Sequence, residues 1–197
     1  MPRSLKIAVA DDEPRMREFF RKALERAGHQ VVAAVANGDE LVEQCRLLHP
    51  ELVITDIAMP GMDGLQAIER IGSERPIPVI LVSAHHTSDF IERAKQSHVL
   101  AYLVKPITDT DLAPAIAIAM DRFDQFQTLR KEATDLKQAL EDRKLIERAK
   151  GILMKRSRLE EQEAFRRLQK MATTKSMRLV EVAQAILTAE AVLQDPD

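Results

Sequence analysis

Short apolar runs alternate with helix-patterned stretches over the first half of the chain. Residues 5–10 are apolar except for Lys6 and end at Asp11, Asp12 and Glu13, which reads as a strand. Pro14 suits the first turn of a helix. Met16, Phe19, Phe20, Ala23, Leu24 and Ala27 follow at helical spacing until Gly28 stops it. Residues 30–36 predict a second strand, and Asn37-Gly38-Asp39 opens a second helix that ends at His49-Pro50. Leu52, Val53, Ile54 and Thr55 predict a third, buried strand. Asp56 follows at once, before the turn-rich run Met59-Pro60-Gly61-Met62-Asp63-Gly64. A third helix is expected over about 64–71, before Pro76, and a fourth strand over 78–83. A polar helix near 88–96 precedes a fifth strand at 99–104, closed by Lys105-Pro106. Five strands alternating with helices predict an α/β fold, a parallel doubly wound sheet covered on both faces.

The pattern changes after Pro106. Thr108 or Asp109 can cap a new helix, and Pro114 falls early enough in it to be tolerated. From there to about Ala149 there is no Gly and no further Pro. Phe126, Ala133 and Leu140 recur every seven residues, with Leu129 and Leu136 three further on. This is an a/d seam of about three heptads, which predicts a short coiled coil. The plainer reading is one long helix packing on its own domain. Residues 160–171 place Ala164, Leu168 and Met171 on one helical face, and residues 179–193 do so with Val182, Ala183, Ile186 and Leu187. A turn near Thr173 to Ser176 separates them. With residues 146–154 they predict a small all-α, three-helix domain whose core is marginal by burial alone.

The net charge of −2 excludes a polyanion binder along the whole chain. The balance is uneven, however. Residues 107–142 carry 4 Lys/Arg against 8 Asp/Glu, and residues 143–197 carry 12 against 8. One cysteine, Cys45, excludes an intramolecular disulfide and fits a reducing compartment. It lies in a helical pattern with Leu41, Val42 and Leu48, as a small core residue rather than a nucleophile. No apolar run approaches the roughly 20 residues that span a bilayer, and the N-terminus lacks a signal-peptide pattern. The expectation is a cytoplasmic protein with no membrane partner.

Parallel topology would bring Asp11, Asp12, Asp56, Ser83 and Lys105 to one edge of the sheet. Crowded carboxylates repel unless they are neutralised, and a hard divalent cation such as Mg²⁺ with a lysine opposite does this. The set suits a carboxylate nucleophile attacking phosphorus, where positioning and charge neutralisation do most of the catalysis. A structural calcium or magnesium site without chemistry is the alternative. An aspartate at a strand end can also serve only as a turn residue or a helix cap.

Four marks occur in order: Asp11-Asp12, the run Asp56-x-x-Met59-Pro60-x-Met62-Asp63-Gly64, Ser83-Ala84, and Lys105-Pro106. With them, residues 5–122 resemble the receiver domain of bacterial two-component response regulators. The resemblance implies a flavodoxin-like fold with Asp56 as phosphoacceptor. It implies Mg²⁺ bound by Asp12, Asp56 and the backbone carbonyl of Ala58, with Asp11 helping through water. Lys105 would pair with the phosphoryl group, Ser83 would swing toward it, and Tyr102 would follow as a switch. For Tyr102 the plain reading is an aromatic half-buried at a strand end. A cognate sensor histidine kinase is implied, with no catalysis beyond the domain's own phosphorylation and dephosphorylation. Two positions depart from common versions of the family. Ala58 is apolar where a polar residue is frequent and cannot position water, which argues for slow-to-moderate autodephosphorylation. His85, followed by His86, could orient water and act in the opposite direction. Both histidines read as solvated loop residues rather than metal ligands.

The tail carries Arg148, Lys150, Lys155, Arg156, Arg166, Arg167, Lys170 and Lys175. Such a cluster is either a solvated face or a phosphate-contacting surface. No zinc-finger spacing or helix-turn-helix signature is evident. Three blocks recur in order: Ala149-Lys150-Gly151-Ile152-Leu153-Met154, residues 163–172 (EAFRRLQKMA) and residues 179–183 (LVEVA). With these, residues 142–193 resemble the ANTAR output domain of transcription antitermination regulators. The resemblance implies a three-helix unit that binds RNA hairpins in nascent messages and stabilises an antiterminator. Gly151 permits close approach or a bend. With no Trp and one Tyr in the chain, phosphate contacts and loop shape outweigh base stacking. The combined expectation is a phosphorylation-activated, RNA-binding antiterminator. A homodimer would form on phosphorylation through Phe126, Leu129, Ala133, Leu136 and Leu140. The expected domains are a receiver at 1–122, a coiled-coil linker at 123–142 and an ANTAR-like unit at 143–197. A DNA-binding transcriptional regulator, and a phosphotransfer or protein-interaction relay with a dimerising tail, are the alternatives.

Overall fold

The computed structural model describes residues 3–84 and 99–194. The chain divides into two compact units, Met1–Gln127 and Thr128–Asp197. The first contains β1 (Lys6–Ala10), α1 (Pro14–Arg26), β2 (Gln30–Val35), α2 (Gly38–Leu48), β3 (Leu52–Asp56), α3 (Gly64–Glu74), β4 (Val79–Ser83) and β5 (Val99–Val104). It also contains the start of α4 (Asp109–Ser157). The five strands form one parallel sheet in the order β2-β1-β3-β4-β5. All five residues of β3 are buried, because helices cover both faces of the sheet at its centre.

Successive strand residues point to opposite faces, so the alternation sorts them into two cores. Ala8, Ala10, Val53 and Leu81 pack with Leu41, Val42 and Cys45 of α2 and Leu65, Ile68 and Ile71 of α3. Ile7, Val9, Ile54, Ile80 and Val82 pack with Phe20 and Leu24 of α1 and Leu112, Ala115, Ile116 and Ala119 of α4. Local chemistry sets the helix ends. The Asn37 side chain accepts from the Glu40 N–H at 2.9 Å and caps α2. Asp63 and Gln66 form a reciprocal capping box on α3. That helix runs to Glu74, past the expected 71. It stops where Arg75 turns extended (φ −151°, ψ 123°), as a residue before proline must. The polar helix expected at 88–96 lies outside the described residues, as do His85 and His86.

The last helix of the first unit begins where the Asp111 carboxylate accepts from the Thr108 N–H (2.8 Å) and hydroxyl (2.7 Å). It is 49 residues long and ends beyond the expected 149–154. Gly151 does not break it, and the left-handed Arg158 (φ +52°) follows its end. In the second unit, the end of α4 packs with α5 (Glu161–Lys175) and α6 (Leu179–Gln194). Ala149, Leu168, Ala172, Val182 and Ala183 form its core, with Ile146, Leu153, Met171 and Ile186 partly buried around them. The α5 helix runs one turn past Met171, through the expected turn at Thr173 and Thr174. It closes at left-handed Ser176, where the Met177 N–H reaches the Ala172 carbonyl at 3.0 Å. Among the described residues, no helix is long and apolar enough to cross a membrane.

Candidate functional site

The sheet order changes direction at β1, whose neighbours are β2 and β3. Ligands of open α/β sheets bind beside the carboxyl ends of strands at such a switch point. In register, Ala10 faces Thr55 and Ser83 faces Val104. Asp11 therefore emerges next to Asp56. Lys105 emerges next to Ser83, and its N–H donates to the Ser83 carbonyl at 2.9 Å.

The side chains converge. Lys105 Nζ donates to Asp56 Oδ2 at 2.5 Å and lies 3.0 Å from Asp11 Oδ2 and 3.7 Å from Glu13 Oε1. One oxygen from each of Asp11, Asp12 and Asp56 lies within 4.8 Å of the other two. Asp11 is wholly buried and Asp56 nearly so, while Asp12 is exposed. The Glu13 N–H donates to Asp11 Oδ1 at 2.9 Å and the Ala58 N–H to Asp56 Oδ1 at 3.1 Å. Asp11 Oδ2 is enclosed, and despite the nearby ammonium it has no well-directed hydrogen bond. Such an oxygen, beside two further carboxylates, fits a hard cation.

Charge follows burial. Desolvation pushes the Asp11 carboxyl up from its ordinary value, with Lys105 and the Glu13 N–H pulling the other way. For Lys105 desolvation acts downward, but the hydrogen bond to Asp56 and the negative charges of Asp56 and Asp11 outweigh it and raise the ammonium above its ordinary range. The site therefore favours the charged form of Lys105. Cys45, far from this edge, is pushed up to about 11 by burial, which leaves it an inert core thiol.

Two glycines that shape the site carry no ionisable signal in the sequence. A Cβ at Gly64 would lie 2.0 Å from the Asp56 carbonyl oxygen, and one at Gly38 would lie 2.5 Å from that of Met62. The two glycines pin the loop that follows Asp56. The Asp63-Gly64 pair was a turn signal, but its close approach to Asp56 was not legible. Arg17 Nη1 donates to the carbonyls of Asp11 (2.7 Å) and Asp12 (3.0 Å) and steadies the acidic turn. Ser83 is buried at the end of β4. Tyr102, half-buried on β5, packs against the α2/α3 core.

In the second unit, Arg148, Gly151 and Lys155 share one face of α4, with both cations exposed. Lys150 differs from them. It is 8% exposed, with Glu147 at 2.5 Å and Glu161 at 2.7 Å. Those hydrogen bonds, Glu147 first, raise its ammonium above the ordinary value. Arg156 pairs with Glu190 at 2.6 Å. Arg166, Arg167, Lys170 and Lys175 are exposed on α5. The seam residues Phe126, Leu129, Leu136 and Leu140 are exposed large apolar side chains, and Ala133 is exposed with them.

Residues 7–117 match the response regulator receiver domain and residues 134–187 the ANTAR domain. The chain is similar to the transcriptional regulatory protein PdtaR of Mycobacterium tuberculosis. The two are 37% identical over 182 residues, 92% of this chain and 89% of that protein. A protein-glutamate methylesterase/protein-glutamine glutaminase of Natronomonas pharaonis is 46% identical over 77 residues, 39% of this chain and 22% of that one. This likeness is confined to the receiver. Among solved structures, a LuxR-family two-component response regulator from Aurantimonas is 29% identical with a TM-score of 0.57, covering 60% of this chain and 87% of that one. The protein thus belongs to the response regulators, as an N-terminal receiver domain joined to a C-terminal ANTAR domain.

Proposed function

We propose that a sensor histidine kinase phosphorylates Asp56, and that the phosphorylated protein binds RNA hairpins in nascent transcripts and promotes antitermination in the cytoplasm. The observation that carries the first half is Lys105 Nζ, 2.5 Å from Asp56 Oδ2 and 3.0 Å from Asp11 Oδ2. A carboxylate between a fixed ammonium and two further acids is set to receive a phosphoryl group. An Asp56 oxygen forms the new bond to phosphorus as the bond from phosphorus to the donor imidazole breaks, and the electron pair returns to that ring nitrogen. Lys105 balances the charge gained. The Ser83 hydroxyl donates to a phosphoryl oxygen, and Tyr102 follows it inward. Asp11, Asp12, Asp56 and the Ala58 carbonyl would hold Mg²⁺, which when bound neutralises phosphoryl oxygens. The chemistry ends with hydrolysis of this acyl phosphate. Ala58 offers the attacking water no polar side chain, so the phosphorylated state decays slowly to moderately.

The ANTAR match and the exposed cations support the second half. Arg148, Lys155, Arg156, Arg166, Arg167, Lys170 and Lys175 serve as phosphate contacts. Lys150, enclosed between two glutamates, serves by holding α4 to α5. Phosphorylation pairs two chains along the seam from Phe126 to Leu140. Two RNA-binding units then act together, which raises affinity without new contacts. The test is binding of the full chain, with and without phosphorylation, to an RNA hairpin and to duplex DNA of equal charge. Preference for the hairpin, increased by phosphorylation, supports the proposal. Preference for DNA transfers it to a DNA-binding regulator, and binding to neither leaves a protein relay.

A further inference from the structure

A cavity lies at the opposite end of the sheet from Asp56. Parallel strands all begin at one end of a sheet, and the helices between them run back to it. The last turns of α2 and α3 therefore meet where β3 and β4 begin. Between them they enclose about 320 Å³, at the small end of the roughly 300–1,000 Å³ of ligand pockets. Val42, Cys45 and Ile71 are its buried, apolar lining. Cys45 adds no charge there, since burial pushes its thiol up to about 11. The rim is charged. Arg46 Nε lies 3.1 and 2.8 Å from the two Glu74 carboxylate oxygens, so these charges cancel. Arg75 Nη2 instead donates to a neutral acceptor, the Pro50 carbonyl, at 2.7 Å. Among the described residues no carboxylate pairs with Arg75, and its charge reaches the Cys45 thiol. The two helix ends oppose this charge, because their last carbonyls carry partial negative charge. Those of Cys45 and Ile71 are already engaged, by the His49 N–H at 3.2 Å and the Arg75 N–H at 2.9 Å. The full charge of the guanidinium, with N–H donors to spare, decides the sign.

We propose that this cavity binds a small organic acid, its apolar body against Val42, Cys45 and Ile71 and its carboxylate on Arg75. A guanidinium meets a carboxylate with parallel N–H groups, which fixes the direction of the head group as well as its charge. His49 stands on the same rim and offers a ring N–H in either tautomer. The two halves of the site select together. An inorganic anion would leave the apolar lining uncovered, and a neutral hydrocarbon would leave Arg75 unanswered. The site depends on neither phosphoryl transfer nor RNA binding, because its residues lie at the strand beginnings and those of the acidic cluster at the strand ends.

The test uses the full, unphosphorylated chain at neutral pH. The probes are straight-chain carboxylates from butanoate to octanoate and the alcohols of the same lengths, titrated by calorimetry. Wild type should bind each acid at least tenfold tighter than its alcohol. Affinity should rise by up to about fourfold per added methylene until the cavity is full. The methyl NMR signals of Val42 and Ile71 should shift during the titration, which locates the site without any substitution. Arg75→Met keeps an apolar stem and should bind acid and alcohol alike, while Arg75→Lys should keep part of the preference. Cys45→Phe fills the cavity and should bind neither series. Equal binding of acid and alcohol by wild type overturns the proposal, and so does binding of neither at millimolar concentration. Shifts that spare Val42 and Ile71 overturn it even if Cys45→Phe does not fold. An Arg75→Met variant that retains the full acid preference overturns it as well.

Discussion

Lys105 Nζ and Asp56 Oδ2 meet at 2.5 Å although 49 positions separate them in the chain. The sheet brings them together, and Asp11 shares the same ammonium at 3.0 Å. Asp56→Asn should abolish phosphoryl uptake from a small phosphodonor with Mg²⁺. Lys105→Met should lower it at least tenfold and uncouple it from RNA binding. Intact-mass measurement reads the first effect, and hairpin affinity before and after phosphorylation reads the second. Stable labelling of the Asp56 variant would place the acceptor elsewhere.

Asp11 is held where its ionised form is disfavoured. A carboxyl whose folded value is raised destabilises the fold once it ionises. The penalty is absent below the ordinary carboxylate range and complete above the raised value. In the presence of a chelator, Asp11→Asn should therefore melt above wild type at neutral pH, and the gap should close as pH falls through that window. Lys105 keeps Asp56 as a partner in the variant. Added Mg²⁺ should stabilise wild type more than the variant, and thermal melts across pH decide the matter.

Gly64 and Gly151 make opposite predictions for one substitution. Gly64→Ala drives a methyl against the Asp56 carbonyl, 2.0 Å away, and should cost roughly 3 kcal/mol or more. Gly151→Ala meets open space and should leave stability unchanged or improved by up to about 1 kcal/mol. Denaturant unfolding monitors both.

Lys150 and its neighbours should separate by salt dependence. Each lost phosphate contact reduces the slope of log affinity against log salt by about 1. Arg148→Ala and Lys155→Ala should each show this reduction. Lys150→Met should leave the slope unchanged and lower the melting temperature, since its partners are Glu147 and Glu161. A reduced slope for Lys150→Met would return it to the RNA surface.

Leu129 and Leu136 are 64% and 71% exposed, so lysine at both positions should leave the fold intact. The phosphorylated variant should sediment as a monomer where the phosphorylated wild type sediments as a dimer. A dimeric variant would locate the interface elsewhere.

The receiver fold was legible because each strand is a short, mostly apolar run bounded by turn residues, and parallel order dictates which ends coincide. Asp11, Asp56 and Lys105 could therefore be brought together from their positions alone. The glycines were harder to read. The approach of Gly64 to Asp56 depends on a loop path that apolar periodicity does not describe. The tail was least legible. Lys150 reads like the cations around it, and its enclosure depends on where α5 restarts after the left-handed Arg158. The passage of α4 through Gly151 was open for a similar reason: helix propensity penalises glycine only mildly, and Ala149 and Leu153 anchor the turns on either side.

Leu140 and Arg148 stand on the same uninterrupted α4, so the angle between them depends only on the number of residues between them. Each added residue swings everything downstream by about 100°, and seven bring it back to within about 20°. Linker length in this stretch of chain thus behaves as a periodic variable. Natural variants should differ here by whole heptads, because intermediate lengths would aim the output face in a new direction.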